Sequence, residues 1–229
     1  MDDKERLLHL ATAAAAEVQP GTIVGLGSGS TAEAVVEALG KRIAAEGSFF
    51  SGVATSHRTS DLARSLGIAL RTLDEIDQID LGIDGADEIA PNIDVVKGRG
   101  GALLYEKLVA LTCNRYLIVA SSEKEVAQLG TRLPLPVEII PLGWRQTYSR
   151  LEGLGLRPRM RKAANGIDPY VTDGGHWILD CDPAPIADPP VLANALKGLV
   201  GVVEHGLFIG IADRAMVVDP DGTVRVRSR

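Results

Sequence analysis

The sequence predicts an α/β protein with a largely parallel sheet and a second, smaller α+β domain. Strand-like and helix-like segments alternate as far as about residue 125, a pattern typical of parallel βαβ units. The alternation ends at the Leu-Pro-Leu-Pro segment of residues 133–136, beyond which short strands and helices mix. We therefore expect residues 1–130 and 207–229 to form the main α/β domain, and residues 131–206 the small domain.

Hydrophobic spacing and the residues that interrupt it predict the elements of the main domain. In the first helix, apolar residues recur at helical intervals until Pro20-Gly21 stops the pattern. The predicted elements are helix 3–18, strand 22–26, helix 31–43, strand 49–54, helix 57–66, strand 68–71, strand 80–84, strand 93–96, helix 102–113 and strand 116–120.

The small domain is predicted from less regular patterns. Its elements are strand 137–140, helix 143–154, a hairpin around Asp173-Gly174-Gly175 and helix 190–199. Two apolar strands, 207–212 and 215–218, are expected to rejoin the main sheet.

Composition restricts the class of function. The 229 residues carry a net charge of −6, which argues against a nucleic-acid surface. The four histidines are scattered and Cys113 and Cys181 lie far apart, so we expect buried thiols and no protein-built metal site. An acidic start before Leu7–Ala16 argues against a secretory signal, and no run reaches the ~18 apolar residues of a membrane span. We expect a soluble, cytoplasmic protein.

The segment GLGSGSTA, residues 25–32, predicts an anion site, because it joins a strand to a helix whose first N–H groups favour negative charge. A dinucleotide-binding fingerprint would need glycine at Ser30, and a P-loop would need a lysine that is absent. The alternative interpretation is a tight turn with Ser30 or Thr31 as the helix N-cap. A similar ambiguity applies to the next strand end: either Thr55 and Ser56 contact a ligand, or Ser56 or Thr59 caps the helix that follows.

The segment DGADEI, residues 84–89, places Asp84 and Asp87 on either side of Gly85-Ala86. Both carboxylates could accept hydrogen bonds from sugar hydroxyls at one side of a pocket. The alternative is a surface Asx turn with Asp84 exposed.

The segment KGRGGALLYEK, residues 97–107, combines Lys97 with a glycine-rich turn and then Glu106 in a helix. A lysine ~4 Å from a unit negative charge gains about 4 kcal/mol at an effective dielectric of ~20. Glu106 either faces the pocket, partly desolvated, or forms a solvated pair with Lys107. Lys124, at the exit of strand 116–120, is either a phosphate contact or a surface charge.

Taken in order, these segments resemble the signature segments of the ribose-5-phosphate isomerase A family. The matching segments, from about Pro20 to Phe208, are GLGSGST, ATSHRTSDLA, DGADEI, KGRGGALLYEK, a strand-exit lysine, LPLPVEIIP, VTDGGHWILD and GVVEHGLF. The resemblance implies an isomerase/CoA-transferase-like fold with a Rossmann-like sheet, a homodimer or homotetramer, no cofactor and no metal.

The resemblance also implies the interconversion of D-ribose 5-phosphate and D-ribulose 5-phosphate through a cis-enediolate. Carried over by motif, Glu106 would be the general base, Asp84 would assist ring opening or hydroxyl proton transfer, and Lys97 would stabilise the enediolate. The implied substrate-binding residues are Ser28, Gly29, Ser30, Thr31, Asp84, Gly85, Ala86, Asp87, Lys97, Gly98, Arg99, Gly100 and Lys124.

Four positions depart from the family pattern. Ser28 stands where threonine is common, and Arg99 replaces a glycine, so its backbone must avoid positive φ. Tyr105 stands where arginine is common, and His176 stands in place of asparagine. Alternative functions are another enzyme of the same fold, such as a CoA-transferase or an amino-sugar-phosphate deaminase, and a non-catalytic sugar-phosphate sensor.

Overall fold

A computed structural model describes residues 2–47 and 50–229, so Phe49, the first residue of the predicted strand 49–54, lies outside the described residues. The chain divides into two compact units. The larger is made of Met1–Ala86, Tyr105–Glu125 and Gly210–Arg229, and the smaller of Asp87–Leu104 and Val126–Ile209.

The larger unit contains a seven-stranded sheet and the helices that cover it. Its helices are α1 (Asp3–Ala16), α2 (Ser30–Glu46), α3 (His57–Ser65) and most of α4 (Leu103–Thr112). Its strands are β1 (Ile23–Leu26), β2 (Ser51–Ala54), β3 (Ala69–Leu70), β4 (Leu81–Asp84), β7 (Tyr116–Ser121), β13 (Arg214–Val218) and β14 (Val224–Ser228).

The strand order of this sheet is β14-β13-β7-β4-β1-β2-β3. Every neighbouring pair is parallel except β13 and β14, which are antiparallel. The predicted α/β class with a largely parallel sheet is therefore confirmed. The edge strand β14 was not predicted, because its alternating Val and Arg residues are only partly buried.

Helices pack on both faces of the sheet, as the alternation of strand side chains shows. Val24 and Leu26 belong to the large core cluster that also contains residues of α1 and α2. Gly25, between them, lies against α4, since a Cβ there would be 2.8 Å from Cγ1 of Val109. Gly82 of β4 allows the same close approach, because a Cβ would be 2.6 Å from Sγ of Cys113.

The smaller unit has two antiparallel sheets and two helices. The elements are β5 (Glu88–Ile89), β6 (Val95–Val96), β8 (Leu135–Ile139), α5 (Trp144–Gly153), β9 (Pro158–Met160), β10 (Trp177–Cys181), α6 (Pro189–Lys197), β11 (Val202–His205) and β12 (Leu207–Phe208). The four-stranded sheet has the order β11-β8-β10-β9 and the three-stranded sheet the order β12-β6-β5.

Two sequence predictions in this region are wrong. Residues 207–212 do not form a strand of the main sheet: only β13 rejoins it, and Leu207–Phe208 pairs antiparallel with Val95–Val96. Residues 93–96 are not one strand either, because Ile93 has a φ of +58° in a turn. Residues 93–96 are buried, as are Leu207, Phe208 and Ala212, and burial alone does not distinguish a strand from a buried turn.

The division into units differs from the predicted boundaries of 1–130 with 207–229 and 131–206. Residues Asp87–Leu104 group with the smaller unit, where β5 and β6 pair with each other and β6 with β12. Whether residues 131–206 form a domain by themselves stays a prediction.

Both cysteines are free thiols, Cys181 buried and Cys113 partly buried. Burial raises the pKa of each to about 12, with a smaller contribution from the Asp84 carboxylate at Cys113 and from Asp180 at Cys181. In the parts of the chain that the structure describes, no helix is both long and apolar enough to cross a membrane.

Candidate active site

Four parallel strands of the larger sheet, β1, β2, β4 and β7, end at one edge, and four of the segments singled out in the sequence begin there. The carboxyl ends of parallel neighbours meet at the same edge, which is where open α/β sheets bind ligands. Strand β1 runs into residues 27–31, β2 into residues 55–59, β4 ends at Asp84, and β7 runs into a 3₁₀ turn at Ser122–Lys124.

Helix α2 begins at this edge without a side-chain cap. Its N-cap residue is Gly29, with a φ of +88°, and no side chain accepts a hydrogen bond from the first turn. The interpretation that Ser30 or Thr31 is the N-cap is therefore wrong, since the helix begins at Ser30. Uncapped N–H groups at the start of a long helix favour an anion.

The Ser28 hydroxyl belongs to a cluster of hydroxyl groups. Its Oγ lies 2.7 Å from Oγ1 of Thr55, donates to Oγ of Ser56 at 2.9 Å and lies 3.1 Å from Oγ1 of Thr59. Oγ of Ser56 accepts a hydrogen bond from the Thr59 amide at 3.0 Å and caps α3, which confirms the capping interpretation for Ser56. The cluster links the loop after β1 to the start of α3.

Asp84 is a buried carboxylate with protein donors on both oxygens. Its Oδ1 accepts from the amides of Ser28 at 3.2 Å and Gly85 at 2.7 Å, and its Oδ2 accepts from the Tyr116 hydroxyl at 3.0 Å. The side chain is 1% exposed. The alternative of an exposed Asx turn at Asp84 is therefore wrong.

Glu106 is also buried, at 4% exposure, and so is Lys107 at 7%. A solvated Glu106-Lys107 pair on the protein surface is therefore excluded. Burial raises the pKa of the Tyr116 hydroxyl well above 10, and the carboxylates of Asp84 and Glu106 raise it further. Tyr116 consequently stays protonated as a donor to Asp84, close enough to Glu106 to experience its charge.

The smaller unit contains Asp87 and the turn of residues 97–101, which begins at Lys97. Oδ2 of Asp87 accepts a hydrogen bond from the Arg99 amide at 3.0 Å. Lys97 is 3% exposed, and its Nζ lies 5.6 Å from the centroid of the buried Phe208 ring. Burying a lysine is costly unless an anion or hydrogen-bond acceptors compensate.

The turn itself depends on glycine at two positions. Gly98 and Gly101 have φ values of +103° and +86°, whereas Arg99 is absent from the positive-φ non-glycine positions of the described residues. The expectation that the Arg99 backbone avoids positive φ is thus confirmed, and Arg99 is exposed.

A small cavity of about 160 Å³ lies beside the start of α2 in the larger unit. Arg6, Thr31 and Ser121 line it. The Arg6 side chain is 12% exposed and forms ion pairs with Asp3 and, at 3.7 Å, with Glu123. The sequence reasoning missed Arg6, because a charged residue on an N-terminal helix carries no motif.

No group of three or more His, Cys, Asp or Glu side chains among the described residues is arranged to hold a metal ion. The carboxylates of Asp84 and Asp87 accept hydrogen bonds from amide and hydroxyl donors.

The comparisons with known proteins identify the family of this chain. Residues 51–222 match the family model of ribose 5-phosphate isomerase A (phosphoriboisomerase A). The chain belongs to the ribose-5-phosphate isomerase A family.

Relatives in this family align with nearly the whole chain. A ribose-5-phosphate isomerase A of Synechococcus sp. (strain JA-3-3Ab) is 53% identical over 95% of this chain and 94% of its own length. That of Thermomicrobium roseum is 50% identical over 96% of this chain and 91% of its own.

Solved structures of the family share the fold. A D-ribose-5-phosphate isomerase in complex with phospho-erythronic acid superposes with a TM-score of 0.95, at 33% identity and full coverage of both chains. Ribose 5-phosphate isomerase A of Methanocaldococcus jannaschii superposes with a TM-score of 0.93, also at 33% identity and full coverage of both.

The residues singled out by resemblance to ribose-5-phosphate isomerase A fall into two groups. The members in the larger unit are Ser28, Gly29, Ser30, Thr31, Asp84, Gly85, Ala86, Glu106 and Lys124; those in the smaller unit are Asp87, Lys97, Gly98, Arg99 and Gly100. Lys124 is half-buried in its 3₁₀ turn. The sequence reasoning missed Tyr116, because an aromatic residue at the start of a buried strand is usually core.

Two departures from the family pattern also have a defined environment. Tyr105 is half-buried and lines a groove of about 400 Å³ in the larger unit, together with Arg64 and Arg71. His176 Nδ1 lies 3.0 Å from Oε1 of the buried Glu138.

Proposed function

We propose that this chain interconverts D-ribose 5-phosphate and D-ribulose 5-phosphate, as an aldose-ketose isomerase of the non-oxidative pentose phosphate pathway. The observation that carries the proposal is the presence of two buried carboxylates, Asp84 and Glu106, within one compact unit. A proton transfer between two neighbouring carbons needs one carboxylate to move the carbon-bound proton and other groups to handle the oxygens.

Glu106 is proposed as the general base. Its carboxylate takes the proton from C2 of the open-chain aldose, the C–H electrons form the C1–C2 double bond, and the carbonyl pair moves onto O1. The same carboxyl then returns the proton to C1, while a hydroxyl proton moves from O2 to O1 and leaves C2 as the ketone. A positioned base of this kind contributes about 10²–10⁴-fold to the rate.

Asp84 and Lys97 are proposed to handle the oxygens. Asp84 is fixed by three protein donors, so its carboxylate is suited to assist ring opening and the exchange of a hydroxyl proton. Lys97, with the amides of residues 98–100, stabilises the negative charge of the enediolate. Preorganised donors of this kind often provide the largest single contribution to catalysis. Asp87 binds sugar hydroxyls.

The phosphate is proposed to bind at residues 28–31, with Lys124 as a further contact. The uncapped start of α2 at Ser30 supports this assignment. The Arg6 guanidinium, which lines a cavity with Thr31, adds a second cation beside the loop. We also propose a cytoplasmic location and a homodimer or homotetramer, as the family resemblance implies.

The test is interconversion of the two pentose phosphates by the wild type and by Glu106→Gln, in the presence of a metal chelator. The variant is expected to bind substrate but to lose about 10²-fold or more in kcat, and to stop exchanging deuterium at C2 with solvent. Phospho-erythronic acid, which occupies a relative's structure, serves as a competitive ligand to measure binding without turnover.

Glu37→Gln is the matched control, since Glu37 is an exposed carboxylate on the outer face of α2. It should retain wild-type turnover. Binding without turnover by the wild type would favour the sensor function and contradict the enzyme. Full turnover by Glu106→Gln would contradict the assigned base.

A further inference from the structure

One arginine of the smaller unit, Arg161, binds the turn of residues 97–101 in the same unit. Nη1 of Arg161 donates to the carbonyl oxygens of Gly98, at 3.1 Å, and Arg99, at 3.0 Å. Arg161 directly follows β9, and its side chain is 14% exposed. Two consecutive peptide groups of the turn are therefore oriented by a single, partly buried guanidinium.

Arg161 is itself fixed on its other edge. Its Nε donates to Oδ2 of Asp180 at 2.8 Å and its Nη2 to Oδ1 at 2.5 Å, a two-point pairing that sets the plane of the guanidinium. The guanidinium also lies 5.8 Å from the centroid of the Tyr170 ring, whose hydroxyl donates to the Gly100 carbonyl at 3.3 Å. The carbonyls of residues 98, 99 and 100 are thus all bound by side chains of the smaller unit.

The amide groups of the turn are not all bound in the same way. The Gly101 amide donates to the Gly98 carbonyl at 3.0 Å, and the Arg99 amide donates to Asp87 at 3.0 Å. The amides of Gly98 and Gly100 donate to no acceptor within the described ranges 2–47 and 50–229. The Gly100 amide belongs to the same peptide group as the Arg99 carbonyl, which Arg161 binds at 3.0 Å.

We infer that Arg161 is a positioning residue for the isomerisation, which rests on the proposed function: by binding the Arg99 carbonyl it orients the Arg99–Gly100 peptide group, so that the Gly100 amide can donate to the enediolate. Arg161 acts through the turn and does not touch the substrate. A lysine could not replace it fully, because an ammonium lacks the planar set of donors that bonds two carbonyls and one carboxylate at once.

The test compares Arg161→Ala and Arg161→Lys with a matched control, Arg159→Ala. Arg159 lies two residues earlier, in β9, and its Nη2 donates to Oδ2 of Asp182, just after β10, at 2.8 Å. Unlike that of Arg161, its side chain is 77% exposed. We expect kcat of Arg161→Ala to fall about tenfold or more, less than the ~10²–10³-fold cost of deleting an oxyanion donor outright. KM should change less than about threefold, since the phosphate site stays intact.

Arg161→Lys should recover part of the lost kcat, and Arg159→Ala should match the wild type. Binding provides a second measurement: Arg161→Ala should weaken phospho-erythronic acid, whose carboxylate resembles the enediolate oxygens, more than it weakens inorganic phosphate. Thermal unfolding identifies variants that do not fold, and if Arg161→Ala is one, the Lys variant decides by the same criteria.

Two results would overturn the inference. One is a kcat for Arg161→Ala, or for a folded Arg161→Lys when the Ala variant fails to fold, within twofold of Arg159→Ala. The other is an equal weakening of phospho-erythronic acid and inorganic phosphate, which would mean a general structural role. An inactive wild type would contradict the proposed function instead, and the binding comparison would still test Arg161.

Discussion

Gly27 lies directly against the Asp84 carboxylate: a Cβ at residue 27 would stand 2.3 Å from Oδ1 of Asp84 and 2.6 Å from its Cα. The Gly27 amide donates to the Ile83 carbonyl at 2.9 Å, so the loop after β1 is fastened to the end of β4. Glycine at residue 27 is therefore required by its contact with the acid.

Gly27→Ala should displace Asp84 or the loop after β1, because the new Cβ would overlap both the side chain and the Cα of the buried Asp84. We expect kcat/KM to fall by about 10²-fold, the cost of misplacing a catalytic group by ~1 Å. Steady-state kinetics measures the effect. Gly153→Ala is the control, since a Cβ there meets open space in α5, and it should leave kinetics unchanged. Equal kinetics for the two variants would contradict the contact.

Tyr116→Phe should weaken both stability and activity, because it removes the hydroxyl that donates to Asp84 at 3.0 Å while keeping the ring. Removing a hydrogen-bond donor from a buried carboxylate costs about 1–3 kcal/mol. Urea unfolding measures the free energy of unfolding, and kinetics measures kcat. Tyr148→Phe, whose hydroxyl bonds to no described residue, should change neither. A Tyr116→Phe variant as stable and active as the wild type would show that the hydrogen bond from Tyr116 to Asp84 matters for neither property.

Glu88→Gln should destabilise the smaller unit without affecting chemistry. The Glu88 carboxylate is fully buried and accepts from the amides of Gly130, Arg132 and Leu133, at 2.6, 2.6 and 3.0 Å. A glutamine offers one acceptor oxygen and brings its own donors, so about 1–3 kcal/mol should be lost. Urea unfolding tests this against Glu152→Gln, an exposed glutamate on α5. A large loss of kcat in folded Glu88→Gln would show a catalytic role instead.

Glu138 should make stability decline as the pH rises. Burial raises its pKa above the ordinary 4.5, although hydrogen bonds from Thr172 and His176 oppose this. The folded state therefore holds the proton more tightly than the unfolded chain, and stability falls between pH 4.5 and the raised value. Urea midpoints across this range should fall less steeply for Glu138→Gln. If the urea midpoints of the wild type and Glu138→Gln fell equally with pH, the raised pKa of Glu138 would be contradicted.

The places of Ser28 and Asp84 in the fold were predictable, because each lies at the end of a strand or in the turn that follows it. A parallel sheet brings such strand ends to one edge. For Glu106, the sequence left two interpretations open: a side chain facing the pocket, or a solvated pair with Lys107. Spacing alone does not reveal which face of a helix is covered, and α4 is apolar on most sides.

The short antiparallel strands were not predictable in the same way. Strands β5, β6 and β12 have two residues each, too few for an alternating pattern to register. Their pairing joins Leu207 to Val96, far apart in the chain. This pairing is what groups residues 87–104 with the smaller unit.

The sequence by itself determined which reactive groups the protein carries and in what order, because glycine loops, paired acids and the lysine turn are local patterns. Only the tertiary structure decided what holds those groups in place. Tyr116 reaches Asp84 across 32 positions, and Arg161 reaches Gly98 across 63. Such partners meet through strand register and burial, which depend on the whole folded chain and leave no spacing rule in the sequence.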